Sequence, residues 1–143
     1  MKNKILLLGL FCCSLISANA QVLLDKGTGK NSFPIVSSST NAVVCFDGKD
    51  ATVVRKSASL FVDDVRRVTG QELKMDESKP GKVSARYAII AGTIGESGWI
   101  DVLASRNKID TAAIAGSWER YMIEVVNNPV PGIKKAIVVA GSD

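Results

Sequence analysis

Histidine is absent from this 143-residue chain, and no other gap in its composition excludes as much. Without imidazole there is no Ser-His or Cys-His nucleophile, no histidine acid or base, and no zinc site of the common histidine-containing kinds. Cysteine is scarce: of three residues, Cys12 and Cys13 fall in the first 20, which leaves Cys45 with no partner for an internal disulfide. Cys45 sits in the apolar run Ala42-Val43-Val44-Cys45-Phe46 with no cation beside it, so it reads as a small buried hydrophobe rather than a reactive thiol. Aromatics make up only 6% of the chain, and no basic stripe interleaves with them, which argues against a nucleic-acid partner. The G-x-S-x-G elbow and the H-E-x-x-H metal motif are missing as well.

What is present is a globular composition, 46% apolar and 22% charged, in a chain long enough for one domain with its own core. Residues 1–20 read as a signal peptide. Lys2 and Lys4 supply the charged start, residues 5–16 the apolar middle, and Ala18-Asn19-Ala20 the cleavage site before Gln21. The apolar run is shorter than the roughly 20 residues a bilayer requires. A lipoprotein site fits badly, because Phe11 and Cys12 would stand where small residues belong. The expected destination is the periplasm or the cell exterior, with no membrane attachment once the signal is removed. Loss of Lys2 and Lys4 lowers the net charge of +4 by two, to +2, too weak a bias to name a partner.

The stretch around which the rest is organised is Arg86-Tyr87-Ala88-Ile89-Ile90-Ala91-Gly92-Thr93-Ile94-Gly95-Glu96-Ser97. Residues 87–91 form a short continuous apolar run bounded by charge and by glycine, the pattern of a strand covered on both faces. Gly92 permits a turn, Thr93 is a candidate cap, and Glu96 lies near the start of the helix expected over 98–105. The run Ile137-Val138-Val139-Ala140-Gly141-Ser142-Asp143 repeats this ending. There Ser142 or Asp143 reads as the cap of a helix that does not follow, which leads to the expectation that the chain is a fragment of a larger protein.

Between these landmarks, residues 21–40 read as a loosely held lead-in with an edge strand over 33–36, and 41–143 as an α/β domain. Gly27-Thr28-Gly29-Lys30 fails as a phosphate loop, since Leu24 stands where the first glycine belongs and no Ser or Thr follows Lys30. A strand over 42–46 leads through Asp47-Gly48 to a helix over 51–68, capped by Asp50 and closed by Gly70. Val54, Ala58, Phe61, Val65 and Val68 make its apolar stripe, and Asp63 is spaced to pair with Arg67. Asp63 and Asp64 diverge by about 100° on that helix, so they read as a solvated face rather than a catalytic pair. An edge strand over 72–75 and a short helical turn over 109–115 follow, the latter capped by Asp110 or Thr111. In the strand expected over 118–126, Tyr121, Ile123 and Val125 face one way and Arg120, Met122, Glu124 and Val126 the other, so it reads as half exposed. Asn127-Asn128-Pro129-Val130-Pro131-Gly132 joins it to the last strand as a hairpin. The fold class expected is α/β: a two-layer mixed sheet of about five strands with two main helices.

Four segments, in order, resemble the N-terminal domain of family 115 glycoside hydrolases. They are Phe33-Pro34-Ile35-Val36; the helix with Asp63, Val65, Arg67, Val68, Thr69 and Gly70; Ile89-Ile90-Ala91-Gly92-Thr93-Ile94-Gly95; and Trp118-Glu119 through Val125-Val126-Asn127-Asn128-Pro129 to Ala140-Gly141-Ser142-Asp143. The resemblance spans residues 32–143. It implies an exported, often bacterial enzyme that removes α-1,2-linked glucuronic acid, or its 4-O-methyl form, from xylan side chains. In that family a small α/β domain precedes a (β/α)8 barrel carrying the catalytic carboxylates. The partners implied are that barrel, on the same polypeptide, and a glucuronoxylan-type polysaccharide. No cofactor or metal is expected, and no catalytic residue carries over to this chain. Gly92, Thr93, Ser142 and Asp143, at the ends of the two apolar strands, are the expected substrate-binding positions. Glu96 and Asp143 also follow strand ends, where their ordinary role is to cap a helix or face its dipole. The alternative expectation is a self-standing carbohydrate-binding or interaction module, which needs exposed aromatics, whereas Trp99, Trp118, Tyr87, Tyr121 and the three Phe beyond residue 20 stand mostly at positions that read as core.

Overall fold

The computed structural model describes residues 32–143; the expected signal peptide and lead-in residues 21–31 lie outside the described residues. Seven elements follow one another: β1 (Val43–Cys45), α1 (Thr52–Thr69), β2 (Lys74–Asp76), β3 (Ala85–Thr93), α2 (Gly98–Ser105), β4 (Tyr121–Asn127) and β5 (Ile133–Gly141). They build one five-stranded mixed sheet in the order β2-β1-β3-β5-β4, parallel throughout except for β4, which runs antiparallel to β5. The two apolar runs are therefore neighbours in the sheet interior, with Ile89 opposite Ile137 and Thr93 opposite Gly141.

Strand alternation sends side chains to two separate cores. Val44, Phe46 and Ile89 meet Ala58 and Val62 of α1, together with Leu73. Cys45, Ala88, Ile90, Ala136, Val138 and Ala140 meet Trp99, Ile100 and Leu103 of α2. The five-stranded mixed sheet and two helices are as expected, but the layering is not: with one helix on each face, the sheet is the middle of three layers rather than one of two. Trp99 is fully buried, and its indole N–H donates to the Ser78 carbonyl at 2.8 Å, so its one polar atom is satisfied.

α1 ends as glycine dictates: Gly70 takes φ 71°, and its N–H returns to the Arg66 carbonyl at 2.8 Å. Its start departs from expectation. Ala51 occupies the N-cap position without a side-chain cap, while Asp50 Oδ2 accepts the Thr93 N–H across the sheet at 2.9 Å. A carboxylate that meets an otherwise unpaired strand-end amide is drawn there rather than to the helix. Val62 joins the buried stripe, whereas Val68 is 85% exposed in the last turn, past the reach of the three-residue strands below it. Asp63 pairs with Arg66 at 3.1 Å, and Asp64 with Arg67, rather than Asp63 with Arg67.

Residues 33–36 are not a strand. Pro34 has no N–H to give, and the segment crosses the α1 face irregularly, tied by the Ala42 N–H to the Ile35 carbonyl. Residues 109–115 form turns instead of a helix, with Asp110 Oδ1 accepting the Ala112 N–H at 2.9 Å as a cap would. Trp118 and Glu119 belong to a turn before β4, with Glu119 at φ 52°. The hairpin joining β4 and β5 is present, and a Cβ on its Gly132 would lie 2.5 Å from the Val83 carbonyl oxygen. β4 is half exposed, and the exposed side is the wholly apolar one: Tyr121, Ile123 and Val125.

Candidate functional site

In sheets of this kind ligands gather beyond the carboxyl ends of the parallel strands, where loops meet helix starts. Here β1 delivers Asp47 and Asp50 to that edge, β3 delivers Thr93 and the turn to Ser97, and β5 delivers Ser142 and Asp143. Gly92-Thr93 and Ser142-Asp143 are thereby brought together on adjacent strands, joined by the Ile94 N–H donating to the Gly141 carbonyl at 3.0 Å. Gly92 and Thr93 are buried, Ser142 is half buried, and Asp143 is exposed.

The carboxylates at this edge hold backbone. Asp47 accepts from the Lys49 N–H (3.0 Å) and, through its other oxygen, from the Gly98 N–H at the start of α2 (3.1 Å). That places a negative charge on the positive end of the helix. Asp50 accepts from Ala51 and Thr93, and Asp101 from the Gly95 N–H at 3.0 Å. The Ser142 hydroxyl accepts the Arg120 N–H (3.0 Å) and donates to Asp143 Oδ1 (2.7 Å), which also accepts the Glu119 N–H (3.0 Å). Thr93 acts through its carbonyl, which accepts the Glu96 and Ser97 N–H groups, rather than as a side-chain cap. A network so committed orders loops and presents a fixed rim.

Ser97 was invisible to sequence reasoning. Its hydroxyl is fully buried and has no hydrogen-bond partner among the described residues. It rests against the Gly92 backbone so closely that a Cβ on Gly92 would lie 2.3 Å from Oγ. The roles of Asp47 and Asp50 were missed too; their signal was two aspartates three apart directly after an apolar strand. Among the described residues no cluster of three or more His, Cys, Asp or Glu side chains is placed to hold a metal ion. Burial pushes the Cys45 thiol up to about 12, with the Asp76 charge adding to the effect, so no thiolate is available there. A depression of about 540 Å³ beside Arg106, Lys108, Pro129 and Lys134 lies at the other end of the sheet, and so does not coincide with the strand-end edge. Exposed aromatics are close to that edge: Trp118 is 81% and Tyr121 70% exposed, and Tyr121 stands opposite Gly141.

The class defined by this arrangement is an α/β domain whose mixed sheet ends in a tightly bonded polar rim. No protein-family model and no curated protein matches the chain. No helix among the described residues is long and apolar enough to cross a membrane.

Proposed function

We propose that this chain is the N-terminal, non-catalytic domain of an exported glycoside hydrolase that removes α-1,2-linked glucuronic acid, or its 4-O-methyl form, from xylan side chains. The reading rests on the ordered segments that resemble family 115. The observation that carries it furthest is the rim: Gly92-Thr93 and Ser142-Asp143 end adjacent strands at the edge where such sheets take ligands, and the carboxylates there are bonded to backbone amides. A rim of that kind suits docking on a catalytic barrel of the same polypeptide and lining its pocket, not bond cleavage. Aldouronic acid release tests this. Activity in the full-length polypeptide, with none from residues 21–143, is the expected result; a full-length polypeptide inert on decorated xylan removes the reading.

One observation favours a second reading, a self-standing carbohydrate-binding module. Trp118 and Tyr121 expose aromatic surface at the same rim, and sugar platforms are built from such side chains. Affinity electrophoresis on xylan separates the two. Strong retardation of residues 21–143, lost in Trp118→Ala, selects the module; unchanged mobility selects the accessory domain.

A further inference from the structure

β4 lies at the edge of the sheet, and its backbone groups divide by parity. It pairs with β5 in one unbroken register, from Tyr121 opposite Gly141 to Asn127 opposite Lys135. Two bonds identify the bonded pairs: the Ser142 N–H donates to the Arg120 carbonyl at 2.9 Å, and the Asn128 N–H to the Lys134 carbonyl at 2.7 Å. Bonded and non-bonded pairs alternate along an antiparallel ladder. The even residues of β4 therefore direct their N–H and C=O groups at β5. Those of Tyr121, Ile123 and Val125 point off the edge of the sheet, and among the described residues nothing bonds them. β4 also lacks the proline, lysine or bulge that commonly blunts an edge.

Side chains follow the same parity. Tyr121, Ile123 and Val125 stand exposed on the face where α1 reaches only β1, β2 and β3. The α2-side face carries Arg120, Met122, Glu124 and Val126, and its two charged residues are exposed. Neither enters an ion pair among the described residues; the Arg120 guanidinium makes one 3.5 Å bond, to the Ala113 carbonyl. These two charges select a partner. A strand that pairs antiparallel with its own copy does so about a two-fold axis, and the axis decides what faces Glu124. An axis at Glu124 sets that carboxylate against itself, which is unfavourable, and an axis at Ile123 sets it against Met122. An axis at Met122 sets Arg120 of each copy directly opposite Glu124 of the other. Both residues are even, so in the new ladder they form non-bonded pairs, the kind whose side chains approach most closely. The same axis sets Tyr121 opposite Ile123 twice, as bonded pairs of an aromatic and a β-branched side chain that together make four new backbone bonds. Glu119, at φ 52°, ends the extended path just before Arg120, so the ladder runs from 120 to 124 in each copy.

We propose that β4 pairs antiparallel with β4 of a second copy about a two-fold axis at Met122, joining two five-stranded sheets into one of ten strands. The contact is small, so the dimer is weak and concentration-dependent. This inference does not depend on the glycosidase reading. Sedimentation velocity on the chain from Gln21 should show the dimer fraction rising between about 10 µM and 1 mM. Arg120→Glu and Glu124→Arg each bring like charges together and should each weaken the dimer about tenfold or more; the two combined should restore it to within about threefold. Ile123→Pro removes an N–H that the β5 ladder does not use, and should leave a folded monomer. Met122→Cys should form a disulfide between copies while buried Cys45 stays silent, and should do so about tenfold or more faster than Ile123→Cys, whose two copies the axis holds beyond bridging distance. A chain that stays monomeric up to about 1 mM overturns the proposal. So does a dimer undiminished by Ile123→Pro, a combined charge exchange that restores nothing, or a bridge that forms faster at 123 than at 122. The charge and cysteine arms decide the question if Ile123→Pro does not fold.

Discussion

Gly92 offers the sharpest test of how the rim is packed. Its φ is not positive, so alanine is allowed by the backbone, and only the neighbours decide the outcome. An added Cβ would lie 2.3 Å from Ser97 Oγ, 2.5 Å from Ser97 Cβ and 3.0 Å from Asp50 Oδ2. The Asp50 carboxylate tip can give way, but Ser97 Cβ is fixed to the start of α2, whose side chains Trp99 and Ile100 are fully buried. Overpacking of this kind costs about 1–3 kcal/mol. The smaller conformational freedom of alanine in the unfolded chain returns about 0.4–1 kcal/mol. Gly92→Ala should therefore destabilise by about 1–2 kcal/mol, a fall in Tm of about 4–8 °C for a domain of this size. Urea unfolding followed by Trp99 emission measures it, because Trp99 passes from a dry core to water while Trp118 is exposed throughout. Ser97→Gly removes both close atoms, at a cost of only a few tenths of a kcal/mol at an N-cap position. The double variant should then recover about 1 kcal/mol relative to additivity. A Gly92→Ala midpoint equal to the parent's, or strictly additive variants, would refute the proposed contact.

Three further outcomes are expected. Asp50→Ala leaves the buried Thr93 N–H without its acceptor and should cost about 1–3 kcal/mol in urea unfolding, while Asp50→Asn, which keeps a carbonyl oxygen, should cost less. Cys45 should be inert to a thiol reagent at pH 8 until the chain unfolds. Because its folded value of about 12 lies above the ordinary 9.0, the neutral thiol favours the folded state. That contribution is intact below pH 9.0 and lost as pH rises toward about 12, by up to about 1.4 kcal/mol per pH unit; alkaline denaturation of Cys45→Ala should lack that component. Hydrogen bonding from Ser78, and after it Lys74 at 3.0 Å, holds the Asp76 carboxyl below its ordinary 3.8. Its stabilisation is present above pH 3.8 and lost as pH falls through the lowered value, so Asp76→Asn should flatten the acid limb of the stability profile.

The elements most legible in the sequence were those whose cause is local. The apolar run before Gly92 is a strand because it has no polar face to offer water, and α2 matches the expected residues 98–105. Gly70 closes α1 through its own φ. Where a distant partner decides, local signals misled. Asp50 has the chemistry of a helix cap, yet the Thr93 amide, 43 positions away, claims its carboxylate. Ser142 and Asp143 are tied across the rim in the same way, their oxygens accepting the amides of the turn at 118–120. Nothing local separates the residues of 109–115 from a short helix; their two backbone bonds to the Thr111 carbonyl close a turn that goes no further. The rim positions were reachable because strand ends can be read from glycine. The bonds that commit them depend on strand order, which the alternation of side chains does not encode.

β4 shows why alternation alone is insufficient. Its two faces were correctly separated in the sequence, and the wholly apolar set is the exposed one. The mixed set faces inward because Met122 and Val126 complete the α2-side core, while Glu124, between them, stays exposed. Which face is buried depends on what the rest of the fold can place over it. α2 and its flanking turns extend over β5 and β4 on one side, whereas on the other α1 stays above β1, β2 and β3. An apolar face left open by a helix that cannot reach it is under the same pressure as any exposed edge, and three alternating large side chains are more than chance exposure requires.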